Sequence, residues 1–108
     1  MAEPTVAELA LDAEREFRAA FAPALGTASR QTFGESNYRG GFKLVFAHAA
    51  GRCEVVYSDM EMEVSLNGKE IFGSKVHAGF EGNMFSHEHL REYLPRIAAS
   101  AAAAGTAL

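Results

Sequence analysis

The sequence predicts an α+β fold, in which a four-stranded antiparallel meander sheet packs on one face against an N-terminal and a C-terminal helix. Three observations lead to this prediction: helical spacing of apolar residues near the N-terminus, alternating polarity through the middle of the chain, and a helix-forming composition at the C-terminus. The chain has 108 residues, and 32 of its hydrophobic residues are larger than Ala. That content suffices for one two-layer core, so we expect a single domain over residues 1–108.

Residues 5–22 are predicted to form an amphipathic helix. Thr5 and Glu8 have the spacing of a capping box, in which each side chain accepts a hydrogen bond from an otherwise unpaired backbone amide. Pro23 and Gly26 follow and end the helix. The apolar residues at three- and four-residue spacing form the predicted buried side: Val6, Leu9, Ala10, Ala13, Phe17, Ala20 and Phe21.

The middle of the chain carries the strands. Residues 27–41 are polar and contain three glycines, so we expect a loop there, with room for a short strand around Arg30–Phe33. Period-two alternation and turn residues then predict four strands at about 42–48, 52–57, 60–66 and 69–73.

The phase of the alternation predicts where the chain turns. The alternating apolar residues occupy odd positions from Cys53 to Tyr57 and even positions from Met60 to Leu66, which indicates a two-residue turn at Ser58–Asp59. This turn sets Tyr57 opposite Met60 and Glu54 opposite Glu63. A turn at Ala50–Gly51 similarly sets Phe46 opposite Val55.

Asn67–Gly68 is the strongest hairpin signal in the chain, because a type I′ turn needs positive φ at both of its central residues. It sets Val64 opposite Ile71, and Glu63 opposite Phe72. Residues 73–85 are rich in glycine and are expected to form a loop.

A second helix is predicted at residues 87–104, with Ser86 as its N-cap. Pro95 lacks a backbone N–H and is expected to kink or divide this helix. The Ala-rich segment after Ser100 favours helix but has little to bury, so we expect its end to fray.

The net charge of −4 is unevenly distributed. Residues 1–52 hold six acidic and six basic residues, whereas residues 53–92 hold eight acidic and three basic ones. An acidic second half argues against binding to nucleic acid or to an anionic membrane, both of which attract Lys and Arg. The sequence shows no membrane-length apolar run and no signal peptide, and a single cysteine, Cys53, excludes an internal disulfide, so we expect a cytoplasmic location.

The predicted pairing leaves one side of the sheet uncovered and places several carboxylates on it. Clustered carboxylates around valines and an exposed phenylalanine suit a surface that binds a basic protein partner. A homodimer through the valines and an ordinary solvated surface are the alternatives. The residues predicted to bind the partner are Glu54, Glu61, Glu63, Glu70 and Phe72.

The histidines offer a different class of function. His87 and His89 lie two positions apart, which places them on different sides of a helix, so we expect no metal site there and no cofactor. His48 and Cys53 are predicted to face each other across the first hairpin, but the motifs that activate a nucleophile are absent, and we expect no catalytic residue.

A small enzyme or ligand-binding domain remains the alternative to a protein-binding module. Its site would lie between the two glycine-rich loops, 34–41 and 73–85. The side chains available there are Tyr38, Arg39, His77, His87 and His89.

The stretch GGFKLVFAHAAGRCEVVYSDMEMEVSLNGKEIF resembles the sheets of small bacterial immunity proteins, the antidotes encoded beside secreted antibacterial toxins. Many of these are acidic single domains of about this length. The resemblance implies a non-enzymatic protein that neutralises a toxin through an acidic face. Small acidic type III secretion chaperones are similar in size and charge, but they place a helix within the sheet order, which this chain does not show.

Overall fold

The computed structural model describes residues 4–21, 24–26, 28–34, 39–49, 51–73 and 84–106. Within them, the chain forms an α+β fold with one open antiparallel sheet in the order β1-β2-β3-β4-β5. Its elements are α1 (Val6–Ala20), β1 (Ala28–Phe33), β2 (Gly41–His48), β3 (Gly51–Ser58), β4 (Glu61–Leu66), β5 (Lys69–Phe72) and α2 (His87–Thr106).

The α+β class and the antiparallel meander are confirmed, but the predicted number of four strands is wrong. The fifth strand is β1, which lies in the segment expected to be mainly loop. All six of its residues pair with β2, from Ala28 opposite Phe46 to Phe33 opposite Gly41. Its side chains are exposed on both sides after Ala28, so it lacks the apolar alternation by which a half-buried strand is recognised.

The predicted capping box starts α1. The Glu8 amide donates to Thr5 Oγ1 at 3.1 Å, and the Thr5 amide donates to Glu8 Oε1 at 2.9 Å. The hydrogen bond from the Thr5 amide, followed by that of the Thr5 side chain, favours the ionised carboxylate and lowers the pKa of Glu8. The helix ends at Ala20, before the proline expected to stop it, and Phe21 is already extended.

In the β2–β3 and β3–β4 hairpins, each side chain lies on the predicted side of the sheet, but the pairs of opposing residues differ from those predicted. Phe46 lies opposite Cys53 rather than Val55, because the chain turns between His48 and Gly51. Tyr57 lies opposite Met62 rather than Met60, because Asp59 and Met60 form the turn with φ of 50° and 68°. Both differences shift the pairing by two residues, which leaves every side chain on its expected side of the sheet.

The predicted Asn67–Gly68 turn is confirmed in the hairpin of β4 and β5, where these residues have φ of 52° and 83°. An irregularity between Val64 and Ser65 then places Val64 opposite Phe72, so the predicted pairings of Val64 with Ile71 and of Glu63 with Phe72 are wrong. A bulge of this kind adds one residue to one strand and reverses the side to which later residues point.

One continuous core joins the helices and the sheet. α1 packs against α2, β1 and β2, while α2 also packs against β5. The His89 amide donates to Ser86 Oγ at 3.2 Å at the start of α2, which runs through Pro95 to Thr106 as one helix. The largest fully buried side chains are Tyr57, Phe17, Phe42, Phe46, Phe72, Leu9, Leu44, Met62, Leu90, Leu94, Ile97 and Val6.

Candidate functional site

One side of the sheet carries side chains that are half-buried or exposed, and we call it the open face. Along β2, β3 and β4 its residues alternate with those buried in the core, as the pleat of a strand requires. The register across the five strands assigns it Ser29, Gln31, Phe33, Lys43, Val45, Ala47, Arg52, Glu54, Val56, Ser58, Glu61, Glu63, Ser65 and Glu70.

The carboxylates of the open face are interleaved with small and uncharged residues. Glu54 lies opposite Ser65, and Glu63 lies opposite Val56, so the predicted Glu54–Glu63 pair does not form. Glu70 lies on the far side of Ser65. Like charges directly opposite each other destabilise a sheet, and the observed register avoids that cost while keeping the carboxylates on one face.

Two adjacent depressions mark the acidic part of the open face. One, of about 150 Å³, is lined by Val56, Ser58, Asp59, Glu61 and Glu63. The other, of about 160 Å³, shares Val56 and Glu63 and extends to Glu54 and Glu70. The described residues that line the two depressions include five carboxylates and no Lys or Arg.

The ion pairs separate these carboxylates into two groups. Glu54 lies 3.2 Å from Lys43 Nζ and 3.8 Å from Arg52 Nε, and Asp59 lies 4.0 Å from Arg39 Nε. Glu61, Glu63 and Glu70 form no ion pair with any residue that the structure describes. Three negative charges on one side of the sheet are therefore available to a positively charged partner.

Gly73, the residue after β5, leaves room for two of these carboxylates. Its φ is 156°, and a Cβ there would lie 3.0 Å from Glu70 Cδ and 3.2 Å from Glu63 Cγ. A larger residue would push both side chains away, because these distances are shorter than ordinary contacts. The close approach of a glycine therefore allows Glu63 and Glu70 to lie beside each other.

Phe72 does not belong to the open face. Its exposure is 1%, because the irregularity in β4–β5 turns it into the core, and the prediction of Phe72 as an exposed partner-binding residue is wrong. Two other large apolar residues are exposed near this face. Phe33 is 40% exposed at the end of β1, and Met84 is 62% exposed.

Met84 extends the sheet beside β4. It forms an isolated antiparallel bridge with Glu61, and the Phe85 amide donates to the Met60 carbonyl at 2.7 Å. Directly opposed residues point to the same side of a sheet, so Met84 lies on the side of Glu61. In the sequence, only its apolar side chain distinguishes Met84 from its neighbours. Its bridge with Glu61 could not be predicted, because a single bridge in a glycine-rich segment produces no periodic pattern.

The described part of the chain contains three residues of the alternative ligand site, Arg39, His87 and His89. Tyr38 and His77 lie outside the described residues. Arg39 is exposed, His87 is 5% exposed with its ring edge-on to Tyr57 at 5.6 Å, and His89 is exposed. In the described ranges, no group of three His, Cys, Asp or Glu side chains is arranged to hold a metal ion.

The predicted pairing of His48 with Cys53 is also wrong, since His48 lies opposite Gly51. Cys53 is buried in the core, and its burial, followed by the charge of Glu54, raises the pKa of its thiol to about 11. A thiol is nucleophilic as the thiolate, which this environment disfavours at neutral pH.

The open face thus combines uncompensated carboxylates, shallow relief and exposed apolar side chains. Such an arrangement can bind Lys and Arg side chains in depressions that are partly open to solvent. Neither helix in the described part of the chain is long and apolar enough to cross a membrane. No protein-family model, curated protein or solved structure matches the chain.

Proposed function

We propose that the protein is a non-enzymatic binding module that captures a basic protein through its open face. The observation that carries the proposal is the group of three carboxylates, Glu61, Glu63 and Glu70, which share one side of the sheet and form no ion pair with a described residue. Charges left uncompensated in this way accelerate encounter with a partner of opposite charge and select against acidic ones.

In this proposal both helices cover the side of the sheet that carries Phe42, Leu44 and Tyr57, and the open face is left to the partner. The carboxylates bind Lys or Arg side chains, while half-buried Val56 lies between the two depressions and supplies apolar contact. Phe33 and Met84 lie toward opposite edges of the sheet, so that they can contact the partner on either side of the carboxylates. Apolar contact of this kind contributes most of the affinity at protein interfaces, and charge contributes specificity.

The partner class we propose is a toxin with a basic surface, neutralised by this protein as its immunity protein in the bacterial cytoplasm. Three properties support it: the small α+β fold, the acidic second half of the chain and the uncompensated carboxylates of the open face. An inhibitor needs no catalytic group of its own, because it acts by covering the surface of its target.

The test is to reverse the charge of the open face and measure partner binding. The double variant Glu61→Lys, Glu63→Lys alters two exposed residues of β4. Its matched control is Glu88→Lys, Glu92→Lys, which makes the same change in charge at two exposed positions of α2. The immobilised wild-type protein is used to capture its partner from the native host, and the purified partner is then titrated against all three proteins by calorimetry.

We expect a captured protein with a basic surface, whose affinity falls with added salt. The open-face variant should lose affinity by about a hundredfold, because it replaces two attractive interactions by two repulsive ones. The α2 variant should bind within about threefold of the wild-type protein, and both should unfold within a few degrees of it. Equal affinity for the wild-type protein and the open-face variant would refute the proposal.

A further inference from the structure

β1 is the outermost strand of the sheet. It pairs with β2 at all six of its positions, and it contains neither Pro nor Gly and no bulge. In an antiparallel strand, alternate residues direct their N–H and C=O groups away from the neighbouring strand. No strand among the described residues pairs with these outward groups.

The edge also lacks the features with which proteins usually prevent strand addition, such as a Lys, a Pro or a bulge that disrupts pairing. Its one charged residue is Arg30. The Arg30 guanidinium donates to Glu14 Oε2 at 2.7 Å, which holds it against α1 and away from the open face. The residues from Ser29 to Phe33 are exposed, so a second strand can approach without displacing any described side chain from the core.

We infer that two copies of this chain pair through β1, in antiparallel orientation about a two-fold axis at Gln31. Gln31 then lies opposite Gln31 of the second copy, and Ser29 lies opposite Phe33. Arg30 lies opposite Thr32 on the side of α1. The two glutamine amides can donate to and accept from each other, whereas an axis at Arg30 would place two guanidinium groups opposite each other.

Charge distribution favours this pairing over contact between two open faces. Two open faces in contact would bring their carboxylates to about 10 Å or less, the distance between packed sheets. Pairing through β1 separates the Glu63 residues of the two copies by seven strand spacings, about 34 Å. That distance exceeds the screening length of about 8 Å at physiological salt several times.

The result is a continuous ten-stranded sheet whose two open faces lie on the same side. This inference goes beyond the proposed function, because the carboxylates of the open face take no part in the pairing. Each copy keeps its own binding surface, and the dimer presents two of them to a partner.

Cysteine cross-linking tests the register directly. In Gln31→Cys the two Cα atoms lie about 5 Å apart across the axis, within reach of a disulfide. In the matched control Ser29→Cys, on the same exposed side of β1, they lie about 14 Å apart. Native Cys53 is buried and should not contribute, which the wild-type protein verifies.

We expect mild oxidation to convert most of Gln31→Cys to a disulfide-linked dimer, while Ser29→Cys and the wild-type protein remain mostly monomeric on a non-reducing gel. Equal yields from the two cysteine variants, or no cross-link in Gln31→Cys, would overturn the inference.

Sedimentation of the reduced proteins provides an independent measurement. The wild-type protein should approach twice the monomer mass as its concentration rises. Gln31→Lys, which places two lysines opposite each other, should raise the dimer Kd by about tenfold. Ala99→Lys, an equal change in charge at an exposed position of α2, should leave the Kd unchanged. A wild-type protein that stays monomeric at millimolar concentration would contradict the pairing.

Discussion

Burial controls the chemistry of the single cysteine. Cys53 lies on the core side of β3, opposite Phe46 and Leu66, with its side chain fully buried. An apolar environment disfavours the thiolate, and the pKa of the thiol rises from 9.0 to about 11. The same side chain in an exposed loop would be reactive, so its position in the sheet, and not its type, makes it a structural residue.

This shift predicts a loss of stability at high pH. The unfolded chain ionises its thiol at the lower pKa, so the contribution of Cys53 is complete below about pH 9 and is lost as the pH rises towards 11. The free energy of unfolding of the wild-type protein should therefore fall faster over this range than that of Cys53→Ala, by about 2 kcal/mol. Urea unfolding at several pH values measures the free energy of unfolding of the two proteins. Parallel pH profiles would show that the thiol does not titrate differently in the folded state.

Phe33 and Phe72 show that the sequence alone does not determine which side of the sheet a single residue occupies. Strict alternation after Asn67–Gly68 places Phe72 on the open face, and one irregularity in β4–β5 is enough to bury it. Phe33 became an open-face residue because β1 pairs with β2. Both differences depend on pairing between strands, which a residue's own neighbours in sequence do not determine.

Among the elements, the hairpins follow their turn chemistry. Asn67–Gly68 was predictable, because Asn and Gly tolerate positive φ. Asp59–Met60 was not, since Met is seldom found at positive φ, yet Met60 has a φ of 68°. The alternation of apolar residues locates the β3–β4 turn to within one residue. Moving the turn by one residue shifts the pairing of the strands by two, so each side chain stays on the same side of the sheet.

The β4–β5 turn provides a clean measurement of that backbone preference. A Cβ added at Gly68 would meet no atom within 4 Å, while its φ of 83° disfavours any residue with a side chain. Gly68→Ala should therefore lower the free energy of unfolding by about 1 kcal/mol through backbone conformation alone. Chemical denaturation measures the loss.

Gly68→Asn is the matched variant, because Asn tolerates positive φ better than Ala does, and it should lose less. Equal stability of Gly68→Ala and the wild-type protein would contradict the turn geometry.

For the molecule as a whole, the fold class and the acidic face could be predicted, because both depend on periodicity. The predicted register was wrong by two residues, and a shift of two leaves Glu54, Glu61 and Glu63 on the predicted side of the sheet. The sequence indicated no more than a short strand around Arg30–Phe33, and it indicated neither the full length of β1 nor the burial of Phe72. An exposed edge strand and a bulge leave little trace in the pattern of polarity. The ion pairs that neutralise Glu54 and leave Glu61, Glu63 and Glu70 available emerge only from the three-dimensional arrangement.

The central proposal is that the open face is the binding surface, and NMR mapping tests it most directly. Backbone amide signals of the ¹⁵N-labelled protein are followed while the captured basic partner is added at low salt. We predict that the largest changes occur at Val56, Glu61, Glu63 and Glu70, and that the exposed side of α2 around Glu88 is unaffected. Large changes confined to α1 and α2, with β3, β4 and β5 unperturbed, would contradict the proposal.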